Sequence, residues 1–357
     1  MNTHRSLMES LLRPELLASQ AYAVAPSAGL IKLDAMENPY GLPESLRQQW
    51  LEVLSDAPLN RYPDAHPAEL LAALKKHLGL AEDLALMLGN GSDELIQILI
   101  TAVAGAQRPI MAVDPSFVMY RLLAQQLGLP FCGVPLDTEF RLDLPAMLQA
   151  IEVQQPAIIF LDWPNNPSGS LFPEADLEII IRAAPGLVVI DEAYHAFSQT
   201  TFVDRLGKYP NLLLLRTLSK EGLAGLRLGM LAGTSDWIQE LDKLRLPYNI
   251  NILTQRSALF YLKHITLLEA QASVLREERE RLYSAISALQ LAIWPSAANF
   301  LIFRIPGRAT EIFNGLRNGG ILVKAFTGHP RLSDYLRVSV GTPIENDRFL
   351  STLESLL

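Results

Sequence analysis

The 357-residue chain is 49% apolar and 19% charged, a composition that excludes the disordered and fibrous classes, and its length predicts one large domain with a smaller one beside it. A net charge of −8, with no lysine or arginine block longer than a pair, excludes an electrostatic footprint for phosphodiester backbones, so no nucleic-acid partner is expected. The single Cys132 cannot form an internal disulfide, and six histidines in no ligand-like spacing argue against a metal site.

The amino-terminal run "MNTHRSLMESLLRPELL" places Arg5, Glu9 and Arg13 among its apolar residues, unlike a signal peptide. No stretch approaches the roughly 20 apolar residues of a membrane span. A soluble, cytoplasmic chain without membrane association is therefore expected. Between about residues 66 and 245, helical patterns such as "PAELLAALKKHLG" and "SDELIQILITAVA" alternate with the β-rich runs "PIMAV", "AIIFLD", "GLVVID" and "NLLLLRT". Runs apolar at consecutive positions indicate strands covered on both faces. Residues 45–250 are thus expected to form a large α/β domain, a mostly parallel central sheet with helices on both faces. From Leu253 to Leu289 the pattern becomes one long charged helical stretch, followed by short strand runs in "ANFLIFRI", "GILVKAF" and "YLRVSVG". These, joined by the first residues of the chain, predict a small α+β domain of residues 1–44 and 251–357.

Ligands of open α/β sheets collect at the carboxyl ends of strands, so the strand ends are where chemistry is sought. In "LGNGSDELIQILI", Gly89, Gly91 and Ser92 run into a helix expected to begin near Asp93, whose free N–H groups suit an anion. The run is neither a Walker nor a Rossmann fingerprint. In "DPSFVMYRLL", Phe117 opens a helix just past a strand and can cover a ligand ring. In "FLDWPNNPSGS", Asn165, Asn166, Pro167 and Gly169 build a turn for local reasons, but Asn166 is also a suitable donor to a phenolic oxygen. In "VVIDEAYHAF", Asp191 ends an apolar strand with Tyr194 three residues on. A buried carboxylate is costly unless something positive or a donor meets it, and a protonated pyridine nitrogen would do so.

The run "LLLLRTLSKEGLAGLRLG", Leu212 to Gly229, sets Lys220 just past a strand, where partial desolvation lowers its pKa and makes it a candidate Schiff-base nucleophile. Thr217 and Ser219 add hydroxyls, and Arg227 adds a fork suited to phosphate. Each feature alone has an ordinary structural explanation. Together they are the parts needed to hold pyridoxal 5′-phosphate, an electron sink that depends on a protonated ring nitrogen.

Through "DAMENPYGLP", "NRYPD", "GNGSDELI", "NNPSG", "DEAY", "TLSKEGLAGLRLG", "LRLPYNIN" and "LRVSVGT", the chain resembles the fold-type I pyridoxal-phosphate aminotransferases over essentially its whole length. Within them it is most similar to the histidinol-phosphate aminotransferases, a likeness shared in part with threonine-phosphate decarboxylases. The resemblance implies that Lys220 binds the cofactor and moves the substrate proton, and that Asp191 keeps the ring nitrogen protonated. Tyr194 and Asn166 would meet the ring oxygen, and Phe117 would stack on the ring. Ser219, Arg227 and the helix start at Ser92 and Asp93 would hold the phosphate. Tyr62, in "RYPD", would reach the cofactor phosphate of a second subunit, so a homodimer with shared active sites follows.

Arg337 would bind the carboxylate of glutamate or 2-oxoglutarate and the phosphate of histidinol phosphate or imidazole acetol phosphate; Asn38, Tyr40 and Tyr248 are expected to line the substrate. Two departures stand out. Arg227 lies seven residues after Lys220, where many relatives have eight, so the intervening loop must be shorter. Lys324, in "GILVKAF", stands where many have a second substrate arginine. The implied activity is ping-pong amino transfer between histidinol phosphate and 2-oxoglutarate. Decarboxylation of threonine phosphate, broader aromatic amino transfer and a catalytically silent binding role are the alternatives.

Overall fold

The computed structural model describes residues 3–21 and 23–357, with side chains in its first helix from Leu7 onward. Met1, Asn2 and the Arg5 side chain, part of the amino-terminal reading above, lie outside the described residues. The strands, in chain order, are β1 (Ile31–Lys32), β2 (Leu84–Asn90), β3 (Ile110–Asp114), β4 (Phe131–Pro135), β5 (Ile158–Asp162), β6 (Leu187–Asp191), β7 (Leu212–Thr217), β8 (Leu228–Thr234), β9 (Ala292–Ile293), β10 (Phe300–Arg304), β11 (Ile321–Leu322), β12 (Lys324–Ala325) and β13 (Tyr335–Ser339). The central sheet has the order β2-β8-β7-β6-β5-β3-β4. Its five strands from β7 to β4 run parallel, and β8 runs antiparallel to both β7 and β2.

The consecutive apolar runs are explained by two cores, one on each face. Ile159, Leu161, Val188, Ile190, Leu212 and Leu214 enter one core, while Ile158, Phe160, Leu187, Val189, Leu213 and Leu215 enter the other. Successive strand residues point to opposite faces, so both sets must be apolar when helices cover both. The four quoted runs form β3, β5, β6 and β7. The edge strand β4 and the pair β2 and β8 are not among those runs, because glycine, alanine and methionine dilute their β-branched character.

Past residue 250 the single long helix expected from Leu253 to Leu289 is two, Ile252–Lys263 and Ile265–Ala288. His264 breaks it with φ −119° and ψ 29°, and its ring packs 4.7 Å from that of Phe260. The first of these helices packs against Glu44–Ser55 and Ala68–Leu78. A four-stranded sheet follows, in the order β12-β13-β10-β9, over a third core closed by helices Ala309–Asn318 and Pro343–Leu356. The amino-terminal segment joins this part through β1, which pairs in parallel with β11. Among the described residues no helix is long and apolar enough to cross a membrane.

Register decides what these strands deliver. Asp162 pairs with Asp191 across β5 and β6, Asp191 with Leu215 across β6 and β7, Thr217 with Gly229 across β7 and β8, and Gly229 with Gly89 across β8 and β2. Because β8 is reversed, its beginning lies beside the ends of β7 and β2. All the motif-bearing strand ends therefore share one edge. A core change in this sheet should cost the whole fold: Leu214→Ala, at a side chain 1% exposed in β7, is expected to destabilise by about 2–5 kcal/mol, read as a lower denaturant midpoint with an unchanged slope.

Candidate active site

Asp191, the last residue of β6, is buried between β5 and β7. Its Oδ2 accepts from the Tyr120 hydroxyl at 2.7 Å and its Oδ1 from Ala193 N–H at 3.0 Å. Burial pushes this carboxyl up to about 6, against the pull of those two donors. Asp162, its neighbour across the sheet, is pushed up to about 7 by burial; its carboxylate accepts from the Asn166 N–H at 2.8 Å, the Asn165 amide at 2.9 Å and the Phe117 N–H at 3.1 Å. Asp162 thus ties the loop after β5 to the start of helix Val118–Gln126, fixing Asn166 and Phe117 together.

Tyr194, on the turn after β6, receives a hydrogen bond from the Asn166 amide at 3.1 Å, and burial raises its phenol pKa. The Asn166 carbonyl in turn accepts from the guanidinium of Arg337, which comes from β13. Arg337 also donates to the backbone oxygen of Asp34 at 2.9 Å, and its guanidinium lies 5.1 Å over the Phe300 ring.

Lys220 lies not in an open loop but in a tight turn, Ser219–Leu223, in which Gly222 has φ 117°. A second turn, Ala224–Leu226, follows directly, and Arg227 then takes the left-handed conformation at φ 50°. This winding accommodates the short spacing between lysine and arginine. Desolvation, then the nearby Arg337 charge, push the Lys220 amine down to about 8; it donates to the Ala35 carbonyl at 3.1 Å.

Thr217 donates its hydroxyl to Ser219 Oγ at 2.9 Å. Arg227 reaches the start of helix Ser92–Ala102, pairing with Asp93 at 2.8 Å. Gly91, at φ 81°, takes a left-handed conformation that favours glycine, and a Cβ there would crowd the Arg227 guanidinium at the helix start.

Two adjoining cavities result. The first is walled by Ser92, Asp93, Phe117, Asn166, Asp191, Tyr194, Thr217, Ser219, Lys220 and Arg227, with Asp162 and Met36. The second, which shares Met36, Phe117 and Asn166 with it, is walled by Arg337, Lys324, Phe326, His329, Asp114 and Arg121 among others. Burial, then the Arg337 charge, push the Lys324 amine down.

The remaining expected residues are not in either wall. Asn38 donates to Gln271 at 2.9 Å and accepts from Tyr40 N–H at 2.9 Å, pinning the amino-terminal segment to helix Ile265–Ala288. Tyr40 packs in the small core that holds Tyr194 and Phe300. Tyr62, 81% exposed, stacks on Tyr248 with ring centroids 4.6 Å apart.

Sequence reading missed two groups. Tyr120 is fully buried, stacked 4.5 Å over Phe160, and stands one helical turn beyond Phe117. Asp162 ends its strand just as Asp191 does, and that parallel was its available signal.

These residues fit pyridoxal phosphate. The hydrogen-bond partners of Asp191 are neutral donors, so a cationic ring nitrogen would supply the positive charge that a buried carboxylate requires. At the other end Arg227, Ser219 and a helix start supply donors for a phosphate, and Lys220 faces the space between. Among the described residues no cluster is placed to hold a metal ion.

The model of the aminotransferase class I and II family matches residues 28–353. Over 347 residues the chain is 50% identical to histidinol-phosphate aminotransferase 2 of Nitrosococcus oceani, with 96% of each chain covered. It is 48% identical to histidinol-phosphate aminotransferase of Chromobacterium violaceum, covering 97% of this chain and 98% of the relative. Its fold matches, at a TM-score of 0.87 with 25% identity and 97% of each chain covered, histidinol-phosphate aminotransferase from Sinorhizobium meliloti in complex with pyridoxal 5′-phosphate. The chain belongs to the class I and II aminotransferases, and it is a pyridoxal-phosphate-dependent enzyme of the α/β fold-type I architecture.

Burying the Lys220 charge carries a checkable cost. The depressed amine penalises the fold fully below pH 8, and the penalty disappears as pH rises past the unfolded value of 10.5. Cofactor-free Lys220→Met is therefore expected to melt above the unsubstituted protein at pH 7, with the gap narrowing between pH 8 and 10.5. A gap that is constant with pH would remove charge burial as its cause.

Proposed function

We propose that the enzyme moves an amino group between histidinol phosphate and 2-oxoglutarate, interconverting them with imidazole acetol phosphate and glutamate, as a cytoplasmic step of histidine biosynthesis. The observation that carries this reading is a pair of adjoining cavities, one with Arg227 in its wall and the other with Arg337. One anion site suits a cofactor phosphate, and the second suits a substrate that is itself anionic. The near-full-length relatives named for this activity support the assignment.

Bound pyridoxal phosphate supplies the electron sink for the pair left when the substrate carbon loses its proton. Asp191 would hold the proton on the ring nitrogen, with Tyr120 keeping that carboxylate oriented. Asn166 and Tyr194 would hold the ring oxygen, and Phe117 would pack on the ring. Ser219, Arg227 and the N–H groups of Ser92 and Asp93 would hold the phosphate. Because burial has already brought the Lys220 amine near working pH, it can take the proton from the amine-bearing carbon and return it without a large driving-force mismatch.

The Arg337 fork binds the carboxylate of glutamate or the phosphate of histidinol phosphate, while Lys324 adds a point charge without bidentate geometry. Arg337 also reaches Asn166, so an anion arriving there acts on the same residue that contacts Tyr194. Asn38, Tyr40 and Tyr248 lie outside both cavity walls, so substrate contact is assigned to Arg337 and Lys324.

Tyr62 is exposed on this chain, and a homodimer with shared sites gives it a role at the cofactor phosphate of a second copy. Residues 45–250 form the cofactor domain. Residues 1–44 and 251–357 form the small one, although helix Ile252–Lys263 packs on helices Glu44–Ser55 and Ala68–Leu78 of the large one.

The direct test is the visible spectrum of the cofactor-loaded enzyme with L-histidinol phosphate and no keto acid. The resting band is expected to give way to that of the aminated cofactor and to return with 2-oxoglutarate; a band that ignores histidinol phosphate refutes the substrate assignment. Lys324→Ala should raise KM for histidinol phosphate by about tenfold, the order expected for one charged contact, and disturb glutamate less. Equal losses for both substrates would deny Lys324 a phosphate-specific role.

A further inference from the structure

Between β12 and β13 the chain crosses to the large sheet in a connection too long for a tight hairpin. Asp334, at its end, accepts from Ile305 N–H at 2.8 Å, but the rest of its backbone bonds are internal turns: His329 N–H to the Phe326 carbonyl at 3.1 Å, Leu332 N–H to His329 at 3.2 Å and Tyr335 N–H to Leu332 at 3.0 Å. Gly328, at φ 88°, reverses its direction. This segment walls the second cavity with Phe326, Thr327, His329 and Leu332. The Phe326 ring lies 5.8 Å beneath the Arg337 guanidinium.

Opposite stands the start of helix Val118–Gln126 and the end of β3. Arg331 does not line the cavity. It turns the other way, donating to the Asp114 carbonyl at 2.8 Å and to the Leu136 carbonyl at 2.6 Å, at the carboxyl ends of β3 and β4. Beside it the His329 ring lies 3.6 Å from the Asp114 carboxylate, which Arg121 also approaches at 3.3 Å. The side chain of Leu332 is buried in the core beneath.

We infer that Arg331 is a positioning residue for substrate binding: its guanidinium fork fastens residues 326–332 to the ends of β3 and β4 and so holds the cavity wall against which Arg337 is set. The inference rests on the second cavity being the substrate site. A planar fork reaches two carbonyls at once, and charge-assisted bonds of this kind are stronger than neutral ones. Turns that bond mainly to themselves have no ladder to keep them in register with the large sheet, so the fork supplies that constraint. Arg331 is itself on the surface, so its removal leaves the core packing of Leu332 in place.

The test uses cofactor-loaded Arg331→Ala and Arg331→Lys, with steady-state kinetics on both substrates and amide hydrogen exchange over residues 326–336. For Arg331→Ala, KM for histidinol phosphate and for glutamate is expected to rise by about tenfold, with kcat within about twofold, the loss of charged hydrogen bonds that act on binding alone. The visible band of the bound cofactor should not change, and the segment should exchange faster.

Arg331→Lys, which can meet one carbonyl, should fall between. Full recovery by lysine would overturn the two-carbonyl fastening, as would unchanged KM with unchanged exchange. A fall in kcat together with loss of cofactor would reassign Arg331 to the integrity of the cofactor site. Unsubstituted enzyme that ignored both compounds would instead refute the substrate reading, and the exchange measurement would still decide whether Arg331 holds the segment.

Discussion

The site depends on a register constraint: two carboxyl-bearing strand ends, Asp162 and Asp191, are paired side by side at one edge of a sheet that is dry on both faces. Neither carboxyl can be left bare in such surroundings. Asp162 is met by backbone and amide donors from two separate loops, which is how Phe117 and Asn166 come to share one pocket. Asp191 is met by Tyr120 and a backbone N–H, and its remaining electrostatic need is the demand that a cationic cofactor ring would answer. One of the two thus ties two loops together, and the other meets only neutral donors.

The antiparallel strand β8 makes the second contribution. Had it run parallel with its neighbours, Leu228 and Gly229 would stand at the opposite end of the sheet, and Arg227 with them. Reversed, it presents Arg227 to the helix start at Ser92 and leaves the Lys220 turn above the end of β7. Gly229 is required there for a steric reason, since a Cβ would approach the Gly91 and Ser92 backbone to 2.5 Å. The anion cradle and the lysine are thereby built from the two ends of one connection.

The small part enters the chemistry through a single line of contacts. Arg337 bonds Asn166, and Asn166 bonds Tyr194, so the arginine proposed for a substrate anion is in contact with the groups proposed for the cofactor. Its positive charge also helps hold down the proton affinities of Lys220 and Lys324. Binding an anion at Arg337 would partly neutralise that field.

Much of this was legible in the chain. The consecutive apolar runs stated that β3, β5, β6 and β7 were buried on both faces, and Lys220, Asp191, Asn166 and Arg227 announced themselves because their chemistry is unusual just past such runs. Asp162 and Tyr120 were not legible in the same way. An aspartate before a turn and a tyrosine inside a helix each have an ordinary local explanation, and only their burial and shared neighbours mark them. The break at His264 was hidden for a related reason, because the charged periodicity continues across it while the backbone does not.

By itself, then, the sequence determined which segments had to be buried, which titratable and polar groups stand just past the strands, and the family to which their order belongs; these depend on residue type and spacing, which are properties of the chain. Tertiary structure alone decided that β8 is reversed, that Asp162 and Asp191 lie side by side, and that Arg331 bonds the carbonyl of Asp114, 217 residues away. Those are pairings between distant segments, fixed by register and packing, and no local pattern encodes them.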